Sequence, residues 1–127
     1  MKHRNIIVLI VAIVLVFLLI YPTVYMQAEG SKYLKNIEEI KDALQKRDAA
    51  LAMEKSAEKL SKWDGNNIWI LAFTPHAETE FIKDSIIELN HSIGQKNYTL
   101  ALERTDIIYS KIDHLMQASR LSLENLF

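Results

Sequence analysis

Ile6 to Met26 reads IIVLIVAIVLVFLLIYPTVYM and contains no charged side chain. At ~1.5 Å rise per residue, a helix of about 21 residues spans roughly 30 Å, the thickness of a bilayer's hydrocarbon core. Lys2, His3 and Arg4 precede it. A short basic flank before an apolar run is shared by cleaved signal peptides and uncleaved signal anchors. The run is longer than a signal-peptide core, and Met26-Gln27-Ala28 places a bulky Met where cleavage needs a small residue. The expectation is therefore an uncleaved, single-pass transmembrane helix in residues 1–27, with residues 28–127 forming the folded domain.

The basic tail favours a cytoplasmic N-terminus and an extracytoplasmic C-terminal domain. Tyr21 and Tyr25 suit the outer interface, where a ring buries its body and wets its hydroxyl. Pro22 falls near that boundary, where water can meet a broken helix hydrogen bond. The span holds no GxxxG pattern and no ionisable group, so it reads as a tether rather than a dimerising or conducting helix.

Composition narrows the function classes. The chain has 127 residues and a formal net charge of −1. Its 15 basic residues less Lys2 and Arg4 leave 13 against 16 acidic, a balance of −3 with the signs interspersed. Nucleic acid is not an expected partner, because phosphate binding needs clustered basic surface. The absence of cysteine removes disulfides, thiolate zinc sites and cysteine nucleophiles. Three glycines and two prolines allow few turns, which argues for long helices.

The expected fold is all-α: the transmembrane helix followed by an antiparallel bundle of about four helices. Gly30 is read as the break after the anchor, with Ser31 as N-cap. Tyr33, Leu34, Ile37, Ile40 and Leu44 then form one helical stripe over residues 32–46. A second helix over 48–63, with Asp48 as cap, points Leu51, Ala52, Ala57 and Leu60 to a partner. Asp64-Gly65-Asn66-Asn67 is a turn by composition and lacks the spaced acids of a calcium loop. A third helix over 67–93 is kinked or restarted at Thr74-Pro75 and carries Phe81, Ile82, Ser85, Ile86, Leu89 and Ile93. Gly94 is placed like a helix C′ residue. A fourth helix covers 98–119, and its apolar tail, Leu121 to Phe127, is expected to fold back on the bundle.

Two parts of the chain echo one another. Leu44 to Ser56 matches Ile93 to Thr105 in character, and Ile37 and Ile40 fall opposite Ile86 and Leu89. The match implies two helical hairpins, each turning at a polar tetrad. It also supports a turn near Lys46, where no Gly or Pro enforces one. The period is too long for a tetratricopeptide repeat.

The order of anchor, helical hairpin, Trp63 and Trp69 about a turn, His76 followed by Glu80, and the ending Leu121-Ser122-Leu123-Glu124-Asn125-Leu126-Phe127 resembles a known family. It is a small set of membrane-anchored bacterial proteins, mostly from Firmicutes, catalogued as domain of unknown function 4363. The resemblance implies an anchored helical architecture and a bacterial setting. It implies no activity, substrate or catalytic residue.

Candidate chemistry is sparse. His76 and Glu80 lie one helical turn apart and form a candidate metal-ligating pair, with Glu78 and Asp84 near in sequence. His91 is about four turns away, some 22 Å along a helix, and His114 could approach only from another helix. The simpler reading is a solvent-facing i,i+4 pair. No phosphate loop, Gly-x-Ser-x-Gly or His-Glu-x-x-His motif occurs. Glu38 and Glu39 are adjacent and point apart on a helix. Neither a catalytic set nor a cofactor is expected. Trp63, Trp69 and Phe73 cluster about the second turn. As core they close the end of the bundle; as surface they would receive an apolar ligand or a partner helix. The core role is the expected one. The expected function is a non-enzymatic, membrane-tethered interaction or accessory module for another membrane protein. The alternative is a ligand- or metal-sensing bundle. Oligomeric state is not legible.

Overall fold

In the computed structural model, residues 2–65, 67, 70 and 74–126 are described. The described chain is all-helical. Helix α1 runs Lys2–Gln45, α2 Ala49–Glu58, α3 His76–Gly94 and α4 Tyr98–Leu126, with one turn of 3-10 helix at Leu60–Lys62 between α2 and α3. Among the described helices, α1 is the one long and apolar enough to cross a membrane.

Helix α1 is a single element of 44 residues and not an anchor joined to a separate helix. The expected break at Gly30 does not occur, and Ser31 lies inside the helix rather than capping one. Gly30 serves packing instead. A Cβ there would lie 2.5 Å from Met116 Sδ and 2.6 Å from its Cγ. A glycine inside a helix costs about 1 kcal/mol relative to alanine. Here its missing side chain lets Met116 of α4 lie directly on the α1 backbone.

The two halves of α1 face different surroundings. Every residue from Lys2 to Leu19 is exposed. From Pro22 onward one face is buried, through Met26, Gly30, Tyr33, Ile37, Ile40 and Leu44. Those spacings of three, four or seven residues make the stripe that a helix lays against a core. Helix α4 answers with Ala101, Thr105, Ile108, Ile112, Leu115, Met116 and Ser119, all buried. α1 and α4 run in opposite directions. Arg47 meets Tyr98, Lys41 Nζ lies 3.0 Å from Asp106 Oδ1, and Gln27 Nε2 donates to Met116 O at 2.7 Å. Helix α2 packs on α1 and α3, and α3 on α4, so that Glu88 meets Arg104 and Glu78 meets Lys111.

The two polar tetrads form the same turn, bond for bond, at a constant offset of 49 positions. Arg47 N donates to Leu44 O and Asp48 N to Ala43 O, both at 3.0 Å. Lys96 N donates to Ile93 O and Asn97 N to Ser92 O, also at 3.0 Å. Asp48 Oδ1 caps Leu51 N, and Asn97 Oδ1 caps Leu100 N. This is the Schellman arrangement, in which one residue adopts a left-handed conformation. That residue is Arg47 (φ 57°) in the first turn and Lys96 (φ 56°) in the second. Gly94 is therefore not the C′ residue. It ends α3 with ordinary helical geometry, and a Cβ there would meet nothing within 4 Å. The buried positions repeat as well: Tyr33, Asn36, Ile37, Ile40, Ala43, Leu44, Ala52 and Ser56 correspond to Ile82, Ser85, Ile86, Leu89, Ser92, Ile93, Ala101 and Thr105.

Further expectations are refined or corrected by the structure. Helix α2 ends at Glu58 rather than Trp63, and Ala57 faces out while Ser56 is buried. Asn36 explains the early end: its amide donates to Lys55 O at 2.8 Å and accepts from Leu60 N at 3.0 Å. One side chain of α1 thus satisfies the backbone where α2 gives way to the 3-10 turn. At Thr74-Pro75 the chain restarts rather than kinks: α3 begins at His76, because Pro75 (ψ 144°) is extended and its carbonyl accepts the first bonds, from Glu78 N and Thr79 N, while residues 68, 69 and 71–73 of the expected earlier part lie outside the described residues. Phe81 is exposed and lies under the Lys111 ammonium, 4.9 Å from the ring centre, outside the core stripe. From Leu121 the tail continues α4 as helix to Leu126 instead of turning back, and Phe127 lies outside the described residues.

Candidate functional site

The aromatic cluster about the second turn is built on α1. Tyr33 is buried on the face of α1 toward the 3-10 turn, and Trp63, the residue after that turn, packs edge-on against it. The ring centres lie 5.1 Å apart at 67°. Such edge-to-face pairs add about 0.5–1.5 kcal/mol beyond the area they bury. The Lys59 ammonium sits 4.6 Å from the Tyr33 ring centre and donates to Glu29 Oε2 at 2.6 Å. Lys32 reaches the other oxygen of Glu29 at 3.3 Å. The Lys59 hydrogen bond holds the Glu29 carboxyl below the usual carboxylate range, with Lys32 assisting and burial opposing. Burial, reinforced by the Glu29 charge, pushes the Tyr33 phenol up to about 12.

Beyond Trp63 the chain turns against both α1 and α3. Asn67 Nδ2 donates to Tyr25 OH at 3.0 Å. A Cβ on Gly65 would lie 2.8 Å from Thr79 Cβ and 3.2 Å from Trp63 Nε1, so the turn passes hard against the start of α3. The half-buried Trp63 is packed against the core cluster, and its buried Nε1 has no hydrogen-bond partner among the described residues. Trp69 and Phe73, the other two members of the proposed cluster, lie outside the described residues. Trp63 is thus placed against Tyr33, Gly65 and Thr79.

His76 opens α3 on the surface. Its Nε2 lies 3.6 Å from Glu80 Oε1, and both side chains are exposed. Glu78, the nearest further acid, turns instead to Lys111 of α4 at 3.5 Å. Among the described residues no group of three or more His, Asp or Glu side chains is placed to hold a metal ion. His91 and His114 are exposed on α3 and α4, and neither joins His76. A groove of ≈ 630 Å³ is open to solvent along α4 between Glu103 and His114 and touches neither cluster.

Sequence reasoning missed a polar triangle that runs from the buried Ser56 out to the exposed Ser61. Ser56 of α2 donates to Asn90 Oδ1 at 2.7 Å, Asn90 Nδ2 donates to Ser61 Oγ at 3.0 Å, and the two serine hydroxyls lie 2.8 Å apart. Each member completes the others' hydrogen bonding, so the group ties α2, the 3-10 turn and α3 together. The correspondence of Ser56 with Thr105 in the internal match, two hydroxyl residues on otherwise apolar stripes, was the available signal.

These observations define a class first: an all-helical protein whose leading helix carries an exposed apolar run and continues without interruption into a packed domain. The chain belongs to the family described as Domain of unknown function (DUF4363), whose model matches residues 20–126. No curated protein and no solved structure matches the chain. The matched region starts inside the apolar stretch, so it includes the last turns of the run along with the packed helices.

Proposed function

We propose that this protein is a single-pass, membrane-tethered accessory module that works by contact with another membrane protein and not by catalysis. The observation that carries this reading is α1. From Ile6 to Leu19 it exposes apolar side chains all round, as expected of a helix solvated by lipid. The same helix then supplies one wall of the folded domain. In this reading the N-terminus is cytoplasmic, next to Lys2 and Arg4, and the domain is extracytoplasmic. Phe17, Tyr21 and Tyr25 form an aromatic ladder up α1, the first pair stacked with ring centres 5.2 Å apart and the second tilted at 6.4 Å, which suits the outer interface. The domain is an antiparallel bundle of four helices made of two hairpins, α1 with α2 and α3 with α4. The identical turns and the opposed pairing of α1 with α4 support that topology.

Crosslinking in the native membrane, followed by purification and mass spectrometry, tests the contact reading. A reproducible membrane-protein partner is expected. Recovery of the chain only as an isolated monomer overturns it. Reaction of a cysteine introduced near Lys2 with an impermeant reagent on intact cells would overturn the orientation.

A further inference from the structure

We propose that the last two turns of α4 are a second membrane contact, with Leu121 seated in the outer interface of the bilayer beside α1. This rests on the reading that Ile6–Met26 spans the membrane. Given that, the position of the tail follows from the pairing of α1 with α4. Gln27 Nε2 donates to Ser119 Oγ at 3.0 Å, and Gly30 lies against Met116. Ser119 is therefore level with the end of the span. Helix α4 does not stop there but continues to Leu126. Seven more residues at 1.5 Å each carry it roughly 10 Å further, antiparallel to α1 and toward the bilayer. That is the depth at which interfacial helices bury their apolar side chains, ~5–10 Å below the headgroups.

The side chains fit that position. Leu121 is 57% exposed, although its neighbours Leu115 and Met116 one to two turns earlier are buried. Val24, near the same level on α1, is also 57% exposed, whereas Pro22 and Thr23 are buried. One face of α1 is thus covered by protein up to position 22, while apolar groups on the outside of both helices are left bare at one level. A lipid surface covers both at once. Arg120, exposed beside Leu121, can keep its guanidinium among phosphates while its stem lies along the apolar boundary. Glu124 and Asn125 are exposed and limit the depth to the interface, since a charge at the bilayer centre would cost several kcal/mol.

The chain contains no cysteine, so single labels can be placed at will. Three full-length variants, Leu121→Cys, Val14→Cys and Glu54→Cys, would each carry a nitroxide in vesicles of phosphatidylcholine and phosphatidylglycerol. Collision with oxygen, which partitions into lipid, is compared with collision with a water-soluble nickel chelate. The expected result is a several-fold higher oxygen-to-nickel ratio at position 121 than at 54, approaching that at 14. All three positions are exposed, so the helical circular dichroism should be unchanged by labelling. A nickel-accessible label at 121 with an oxygen-accessible label at 14 overturns this inference and leaves the anchor standing. A label at 121 shielded from both reagents means that protein covers it, and also overturns the inference. A nickel-accessible label at 14 overturns the anchor and the inference together.

Discussion

Gly30 offers the sharpest test of how α1 and α4 fit. In Gly30→Ala the new Cβ would lie 2.5 Å from Met116 Sδ, well inside van der Waals contact, and 2.6 Å from Cγ. Met116 is buried, so both the thioether and the methylene before it must move within a packed environment. Overpacking of this kind costs about 1–3 kcal/mol. The same substitution removes a helix-interior glycine, worth about 1 kcal/mol in the opposite direction. The net expectation in the wild-type background is a loss of up to ~2 kcal/mol. Met116→Ala removes the obstructing atoms and leaves a cavity, which alone costs roughly 2–5 kcal/mol. In that background Gly30→Ala should raise stability by about 1 kcal/mol, because only the helix-propensity gain remains. The sign of one substitution thus reverses with the residue opposite, and the coupling energy is of order 1–3 kcal/mol. Denaturation of the full chain in mild detergent, followed by far-ultraviolet circular dichroism, measures all four corners of the cycle. Equal stabilisation by Gly30→Ala in both backgrounds would refute a close approach of α4 to the α1 backbone at this point.

Other expectations follow from the turns, the buried polar groups and the aromatic cluster. Lys96→Gly should relieve a left-handed backbone, and Gly94→Ala should remove an exposed helical glycine. Each should raise the melting midpoint by about 0.5–1 kcal/mol equivalent in the same detergent assay. Asn36→Ala should cost roughly 2 kcal/mol or more, because Lys55 O and Leu60 N lose their partner, and faster hydrogen exchange confined to the α2 terminus would locate the loss. The folded-state phenol of Tyr33, near 12, lies above its ordinary value of 10, so its contribution is present below pH 10 and is lost as pH rises through about 12. The melting midpoint of the wild type should therefore fall more steeply over that window than that of Tyr33→Phe. Zinc, nickel or calcium titration should leave Trp fluorescence unchanged, and His76→Ala should alter stability by less than about 0.5 kcal/mol. A saturable fluorescence change abolished by His76→Ala would revive the metal-sensing reading.

Much of this fold is written in the periodicity of the chain, but its joints are not. The stripes Tyr33-Ile37-Ile40-Leu44 and Ile82-Ile86-Leu89-Ile93 follow from spacing alone, and both are buried. The internal match located a turn near Lys46 with neither Gly nor Pro to mark it, and that turn occurs at Lys46–Asp48. Gly30 and Gly94 depart from the sequence expectation for different reasons: Gly30 admits Met116, which only the identity of the opposing residue could reveal, whereas nothing approaches Gly94 and the left-handed position of its turn falls two residues later, on Lys96. Met116 is 86 positions away from Gly30, and nothing local points to it. The end of α2 was hidden likewise, because it depends on Asn36, an α1 side chain whose amide reaches across to Lys55 and Leu60. At the aromatic cluster, Trp63 was legible as part of a packed turn. Its partner Tyr33 and the Lys59–Glu29 pair were not, since they come together only when α1 and the 3-10 turn pack.

The continuity of α1 also has a mechanical meaning. With Ile6–Met26 in the bilayer, Gln27–Gln45 stands as a rigid mast of roughly 29 Å above it. The usual hinge, a glycine at the membrane boundary, is occupied: Gly30 is clamped by Met116. A tilt of the membrane segment by about 20°, common for single spans, would therefore swing the far turns at Arg47 and Lys96 sideways by roughly 10 Å. On that reading, and if Pro22 transmits the tilt, bilayer thickness or a neighbour leaning on the span would set where those two basic turns point, and the molecule would act as a lever whose fulcrum lies at the lipid surface.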